Sequence, residues 1–295
     1  MNKNLALSIA AVIALSFLAI TGCKKFVHQN IKAASNSSLA FLTYDDVFTE
    51  INKAVSSEMA LDEMVNASWN LQGSVCATVT LEPIGMSFPK TLTIDYGTEC
   101  IGPDGVVRSG KVIAVFDGNF RAEGTAINVS FEDFLSGQYA VAGKDSIYNN
   151  GTDGDGNPIF NEMITEGVIS WGTQEVIWEA ELNRTWLEGD TTNFTTPSDT
   201  MGGTFGMDGL NDDLFSIDDL FSIIGSASGN DSNTHPFTLE ITQSLLLPTE
   251  CKYISDGILT ISPVNFNDGT VDYGAGECDK QATIEVDGEV FNFTM

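Results

Sequence analysis

Glu166-Gly167-Val168-Ile169-Ser170-Trp171-Gly172-Thr173-Gln174-Glu175-Val176-Ile177-Trp178-Glu179-Ala180-Glu181-Leu182-Asn183-Arg184-Thr185-Trp186 is the stretch that decides the fold class. Gly172-Thr173 fits a two-residue hairpin turn with glycine first, where a positive φ is needed. Pairing Trp171 with Gln174 puts Ile169, Trp171, Val176, Trp178, Leu182 and Trp186 on one face. Glu166, Ser170, Glu175, Glu179 and Glu181 fall on the other. This alternation belongs to an antiparallel pair with one dry face and one wet face. The tryptophan row reads as core or as a sugar-stacking platform, and the acidity of the opposite face favours core.

Period-two runs continue on both sides of this hairpin. They include Val75–Leu81, Thr91–Tyr96, Val106–Phe116, Thr125–Phe131, Gln138–Val141, Phe237–Leu247, Tyr253–Ile261 and Val290–Phe293. Turn signals separate them: Gly102-Pro103-Asp104-Gly105, Asp117-Gly118-Asn119, Asn149-Asn150-Gly151, Asn267-Asp268-Gly269 and Asp287-Gly288. Short turns make successive strands antiparallel neighbours, and no strand–helix–strand alternation is present. Residues 67–295 therefore read as an all-β domain, a large antiparallel meander that is barrel-like or a sandwich.

Two segments repeat one pattern. Cys76-Ala-Thr-Val-Thr leads to Asp95-Tyr96-Gly97-Thr98-Glu99-Cys100, and Cys251-Lys-Tyr-Ile leads to Asp272-Tyr273-Gly274-Ala275-Gly276-Glu277-Cys278. Four cysteines allow three pairings, and the repeat favours Cys76–Cys100 with Cys251–Cys278. Each bridge would contribute about 3 kcal/mol by loop entropy. A four-cysteine zinc site would need a Cys-x-x-Cys spacing that is absent.

Ahead of the strands, Phe48, Ile51, Val55 and Met59 recur at helical spacing behind a capping pattern at Thr43 and Asp46. One amphipathic helix over 44–66 is expected, with its apolar face on the β domain. Its acidity argues against a membrane-surface helix. Residues 23–43 read as a tether. Residues 1–22 combine Lys3, an apolar run from Leu5 to Ile20 and small residues, which is the pattern of a secretory signal. Ile20-Thr21-Gly22-Cys23 resembles the lipobox of bacterial lipoproteins, which implies lipidation of Cys23 and a membrane anchor. Neither Asp nor an acidic cluster follows Cys23, so the expected address is the outer membrane, in either leaflet.

The formal net charge of −28 disfavours nucleic acid and anionic lipid headgroups as partners. His28 and His235 have none of the spacing of a metal site or triad. Gly225-Ser226-Ala227-Ser228-Gly229 places Ala where a nucleophile elbow needs Ser. Asp153, Asp155 and Asn157 sit at the first, third and fifth positions of a calcium-loop pattern. Pro158 then replaces its glycine and Ile164 its final glutamate, so a solvated turn is the preferred reading. Residues 188–216 form a long acidic loop holding Asp208, Asp212 and Asp213. A loop of that length inside a domain is a place to look for binding. No motif implies a cofactor.

The assembled motifs resemble a group of Bacteroidota lipoproteins without established activity. The resemblance rests on Cys76-Ala-Thr-Val-Thr, Pro89-Lys-Thr-Leu-Thr-Ile-Asp-Tyr-Gly-Thr-Glu-Cys100, Gly102-Pro-Asp-Gly and Arg108-Ser-Gly-Lys111. It continues through Asn183-Arg-Thr-Trp186, Ile224-Gly-Ser-Ala-Ser-Gly229 and Gly276-Glu-Cys-Asp279. It implies no catalytic residue. The expectation is a lipid-anchored envelope protein that binds a glycan or an envelope protein, or supports the envelope, without catalysis. A secreted hydrolase using paired carboxylates on polysaccharide, and a surface adhesin or assembly subunit, are the alternatives.

Overall fold

A computed structural model describes residues 27–55, 69–70, 76–83, 85, 87–102, 104–189 and 219–295. The leader, Cys23, the stretch 56–66 and all but the first two residues of the acidic loop lie outside them. The first element is a helix, α1, covering residues 27–55. Among the described residues fifteen strands follow: β1 Trp69–Asn70, β2 Thr78–Glu82, β3 Lys90–Asp95, β4 Cys100–Ile101, β5 Val107–Phe116, β6 Ala126–Ser136, β7 Tyr139–Thr152, β8 Pro158–Trp171, β9 Gln174–Glu188, β10 Leu220–Asn230, β11 Pro236–Pro248, β12 Asp256–Pro263, β13 Gly269–Ala275, β14 Gln281–Val286 and β15 Glu289–Thr294. All pair antiparallel in nearly sequential order, with β4 as a short branch on β5. The sheet is an open meander: β1 and β15 end the path and do not pair with each other.

The sheet wraps around α1. Of residues 27–55 only His28 is exposed, and Ala33, Ala34, Ala40, Phe41, Tyr44, Val47, Phe48, Ile51 and Ala54 are buried. Bonds radiate from the helix to strands along most of the path. Ser35 donates to the Thr294 carbonyl of β15, Ser38 meets the Tyr273 hydroxyl of β13, and Tyr44 donates to the Ala142 carbonyl of β7. Asp45 accepts from Arg184 of β9 and Asp46 from Arg108 of β5.

This corrects one expectation: residues 27–43 are helix packed against the sheet, where a tether was expected. Asp45, Asp46 and Glu50 of α1 also face the sheet. The tether reading rested on small and polar residues, but Ser37 and Ser38 spend their hydroxyls on the Ala34 carbonyl and so tolerate a dry helix. The Trp171–Gln174 register is observed, and Val176, Trp178, Leu182 and Trp186 point inward. Asn149-Asn150-Gly151 lies inside β7, where a turn was expected; the reversal comes at 153–157.

A sheet that coils this far needs local bends, and bulges at glycine supply them. Gly110 in β5 has φ +76°, and a Cβ there would lie 2.2 Å from the Asp133 carbonyl. Gly225 in β10 has φ +134°, with a Cβ 2.2 Å from the Glu181 carbonyl. Register shifts at both positions: between Ser109 and Lys111, and between Ile223 and Ser226.

The four cysteines pair as Cys76–Cys100 and Cys251–Cys278. The first ties the approach to β2 to β4, and the second ties the β11–β12 loop to the segment after β13. Lys252, beside the second bridge, donates to the Asp104 carbonyl in the loop that follows the first. The two stapled segments therefore meet across the wrap.

Candidate functional site

The chemistry of this fold is concentrated on the inner face of β7, β8 and β9, under the middle of α1. Alternation on β9 turns Ala180, Leu182, Arg184 and Trp186 inward. The same alternation turns Phe160, Glu162 and Ile164 inward on β8, and Asp145, Ile147 and Asn149 inward on β7. Most of these are apolar, as a core requires. Asn149, Arg184, Glu162 and Asp145 are not, and each is almost fully buried; the last three carry ionisable groups.

Arg184 Nη1 donates to Asp45 Oδ1 of α1, and Arg184 Nη2 donates to Glu162 Oε2 at 3.1 Å. The guanidinium lies over the Phe48 ring, 4.2 Å from its centroid, and 5.4 Å from that of Phe221. A weakly hydrated planar cation suits contact with two aromatic rings. Glu162 Oε1 and both oxygens of Asp145 have no hydrogen-bond partner. Burial pushes the Asp145 carboxyl well above the usual carboxylate range, and the Glu162 charge pushes it further, against the pull of Arg184. Burial also raises Glu162, with Arg184 opposing. Tyr44 is raised by burial and by both acids, so it stays a donor.

A second cation sits nearer the rim. Arg108 bonds Asp46 of α1 through Nε at 3.1 Å and through Nη2, and bonds Asp104 Oδ2 at 2.7 Å. Ser136 adds a bond to Asp46 at 2.9 Å. One turn on, Tyr96 donates to Glu50 Oε2 at 2.8 Å, and Lys53 pairs with the same carboxylate. The acidic face of α1 is thus matched residue by residue to Arg184, Arg108 and Tyr96.

Asp153 Oδ1 accepts the Asp155 and Asn157 amides, at 2.9 and 2.8 Å, and Oδ2 accepts Asn157 Nδ2 at 3.0 Å. These bonds hold its carboxyl below the usual range and close the β7–β8 turn, so the loop's own donors already occupy its oxygens. Among the described residues no three or more His, Cys, Asp or Glu side chains are grouped to hold a metal ion. Trp178 and Trp186 are core, and Trp171 packs edge-on against Tyr139. Gly225 to Gly229 lies within β10, and His235 lies in the β10–β11 turn, 3.5 Å from Asp231. On the outer face a shallow hollow of about 330 Å³ is lined by Ile177, Glu179, Ser228, Asn230, Pro236 and Val264.

The sequence reading missed Asp145 and Glu162. Both stand at apolar positions of their strands, and period-two counting from Ile147 and Ile164 would have turned them inward. No family model, curated protein or solved structure matches the chain.

Proposed function

We propose that this chain is a lipid-anchored envelope protein, held in the outer membrane through Cys23, that acts as a non-catalytic binding or structural module. Two disulfides suit an oxidising compartment outside the cytoplasm. The observation that carries the non-catalytic part is the position of Asp145 and Glu162. A glycosidase needs its two carboxyl groups on either side of a bound sugar. Here the pair is enclosed between α1 and the sheet with no solvent exposure to speak of. The outer face offers broad strands and a shallow hollow, a shape suited to contact with a larger partner, either a glycan or an envelope protein.

The anchor is tested by expressing the full chain with an alkyne-tagged fatty acid. Label and membrane fractionation are expected for the natural sequence, and both should vanish in Cys23→Ala. Unlabelled natural protein, or label that survives the substitution, would sink the reading. New reducing ends released from polysaccharide by the purified chain would select the hydrolase instead.

A further inference from the structure

Asp145 is the one fully buried carboxylate among the described residues with neither oxygen hydrogen-bonded. Its neighbour on β7, Ile147, pairs directly with Glu162 on β8, which makes Asp145 and Glu162 diagonal cross-strand neighbours on the inner face. Diagonal neighbours lie within reach of longer side chains. Glu162 Oε2 is committed to Arg184, whereas Oε1 accepts nothing. Three carboxylate oxygens at one dry place therefore lack a donor.

The charges at this place do not balance. Asp45 and Tyr44 face it from α1, Glu162 from β8 and Arg184 from β9. From β6 it meets Val129, the partner of Asp145, and from β10 Phe221 lies beneath Arg184. Lys144 and Glu166 pair with each other while exposed to solvent. With Asp45, Asp145 and Glu162 all ionised, Arg184 alone would face three negative charges in the interior. Unpaired buried charge of that kind is not sustained; the group neutralises instead.

We propose that Asp145 and Glu162 form a buried proton-binding site, in which Asp145 keeps its proton through neutral pH and directs its O–H at Glu162 Oε1. A protonated carboxyl is both donor and acceptor, so one proton supplies the missing donor for the facing oxygen. The resulting O–H···O⁻ bond is charge-assisted and stronger than a neutral one. The raised Asp145 pKa agrees with this arrangement. The site sits where β7 and β8 hold α1, so loss of the proton leaves two like charges side by side under the helix. The grip of the sheet on α1 thus tightens in acid and loosens in alkali.

The sign follows from proton linkage. Between the unfolded carboxyl value near about 3.9 and the raised folded value, the native state binds more protons than the unfolded state. Stability therefore falls as pH rises through that window. The test is the Tm of the intact, disulfide-bonded protein from about pH 5 to about pH 9, for the natural sequence, Asp145→Asn and, as a control, the exposed Asp155→Asn. Asp145→Asn is expected to raise Tm at about pH 8 by about 2–4 °C or more and to flatten the decline. Asp155→Asn should change neither. If Asp145→Asn fails to fold, Glu162→Gln with the infrared C=O band of a protonated carboxyl at neutral pH decides: the band should be present in the natural protein. Absence of that band overturns the proposal. So does a natural protein with no alkaline decline, or an alkaline decline abolished by adding sodium, potassium or calcium, which would make the occupant a metal cation.

Discussion

Arg184 and Arg108 perform the same task at two depths of the molecule. Each guanidinium is almost wholly buried, and each takes one of two adjacent acids on α1, Asp45 or Asp46. The second acid differs. For Arg184 it is Glu162 on the inner face of β8, with 0% exposure, and the cation lies against the rings of Phe48 and Phe221. For Arg108 it is Asp104 on a loop, 30% exposed, and water reaches the pair. A charge in the middle of the wrap has no fallback if its partner is lost, whereas one at the rim can be rehydrated. The central cluster thus fixes where α1 sits against β8 and β9, and the rim cluster closes the end of the wrap at modest cost.

That contrast is open to direct test. Arg184→Ala would strand Asp45 and Glu162 beside Asp145 and is expected to cost about 3–5 kcal/mol. Arg108→Ala leaves its acids close to solvent and should cost about 1.5–3 kcal/mol, the range for hydrogen bonds to charged groups. Chemical denaturation of both variants measures the two numbers. A rim variant as damaging as the central one would show that depth does not set the difference.

A smaller contrast separates the two stapled units. In both, an aspartate accepts the amide two residues on, Asp95 from Gly97 and Asp272 from Gly274, each at 2.9 Å. Both then turn a tyrosine onto α1. Tyr96 donates to a carboxylate, Glu50, and Tyr273 meets a hydroxyl, Ser38. Tyr96→Phe removes a bond to a charged acceptor, and about 1.5–3 kcal/mol is expected. Tyr273→Phe removes a neutral bond, and about 0.5–1.5 kcal/mol is expected. Equal losses in denaturation would mean that the Glu50 charge is supported by Lys53 alone.

The meander was legible because alternation, two-residue turns and cysteine spacing are local signals, and the hairpin at Gly172-Thr173 shows all the information such a turn needs. The disulfide pairing was legible for a different reason, since the repeat of Asp-Tyr-Gly units announces two equivalent loops. What was hidden is where α1 goes. Helical periodicity reports one apolar face, and Phe48, Ile51 and Val55 gave that face. It cannot report that a second, acidic face is also turned onto the sheet, because the partners that make this tolerable come from distant strands: Arg108 is 62 residues from Asp46 and Arg184 is 139 from Asp45. The motifs Arg108-Ser-Gly110 and Asn183-Arg-Thr-Trp186 read as strand fragments in isolation. In the fold they carry the two buried arginines, and the first also carries a glycine bulge.

The smallest effect expected from the contrast between the two arginine clusters concerns acid. Burial alone would raise the Asp104 carboxyl, but the bond and charge of Arg108 outweigh it, and the group sits below its ordinary value. A depressed carboxylate stabilises the fold above its unfolded pKa, near about 3.9, and that contribution is lost as pH falls through the folded value. The rim cluster should therefore weaken on the acid side, opposite to the alkaline weakening assigned to Asp145. Asp104→Asn is expected to shallow the fall of Tm from about pH 5 to about pH 2 and to cost less than about 1 kcal/mol at neutral pH, since solvent screens a pair this open. An acid limb that Asp104→Asn leaves unchanged would place the acid sensitivity outside the rim pair of Arg108 and Asp104.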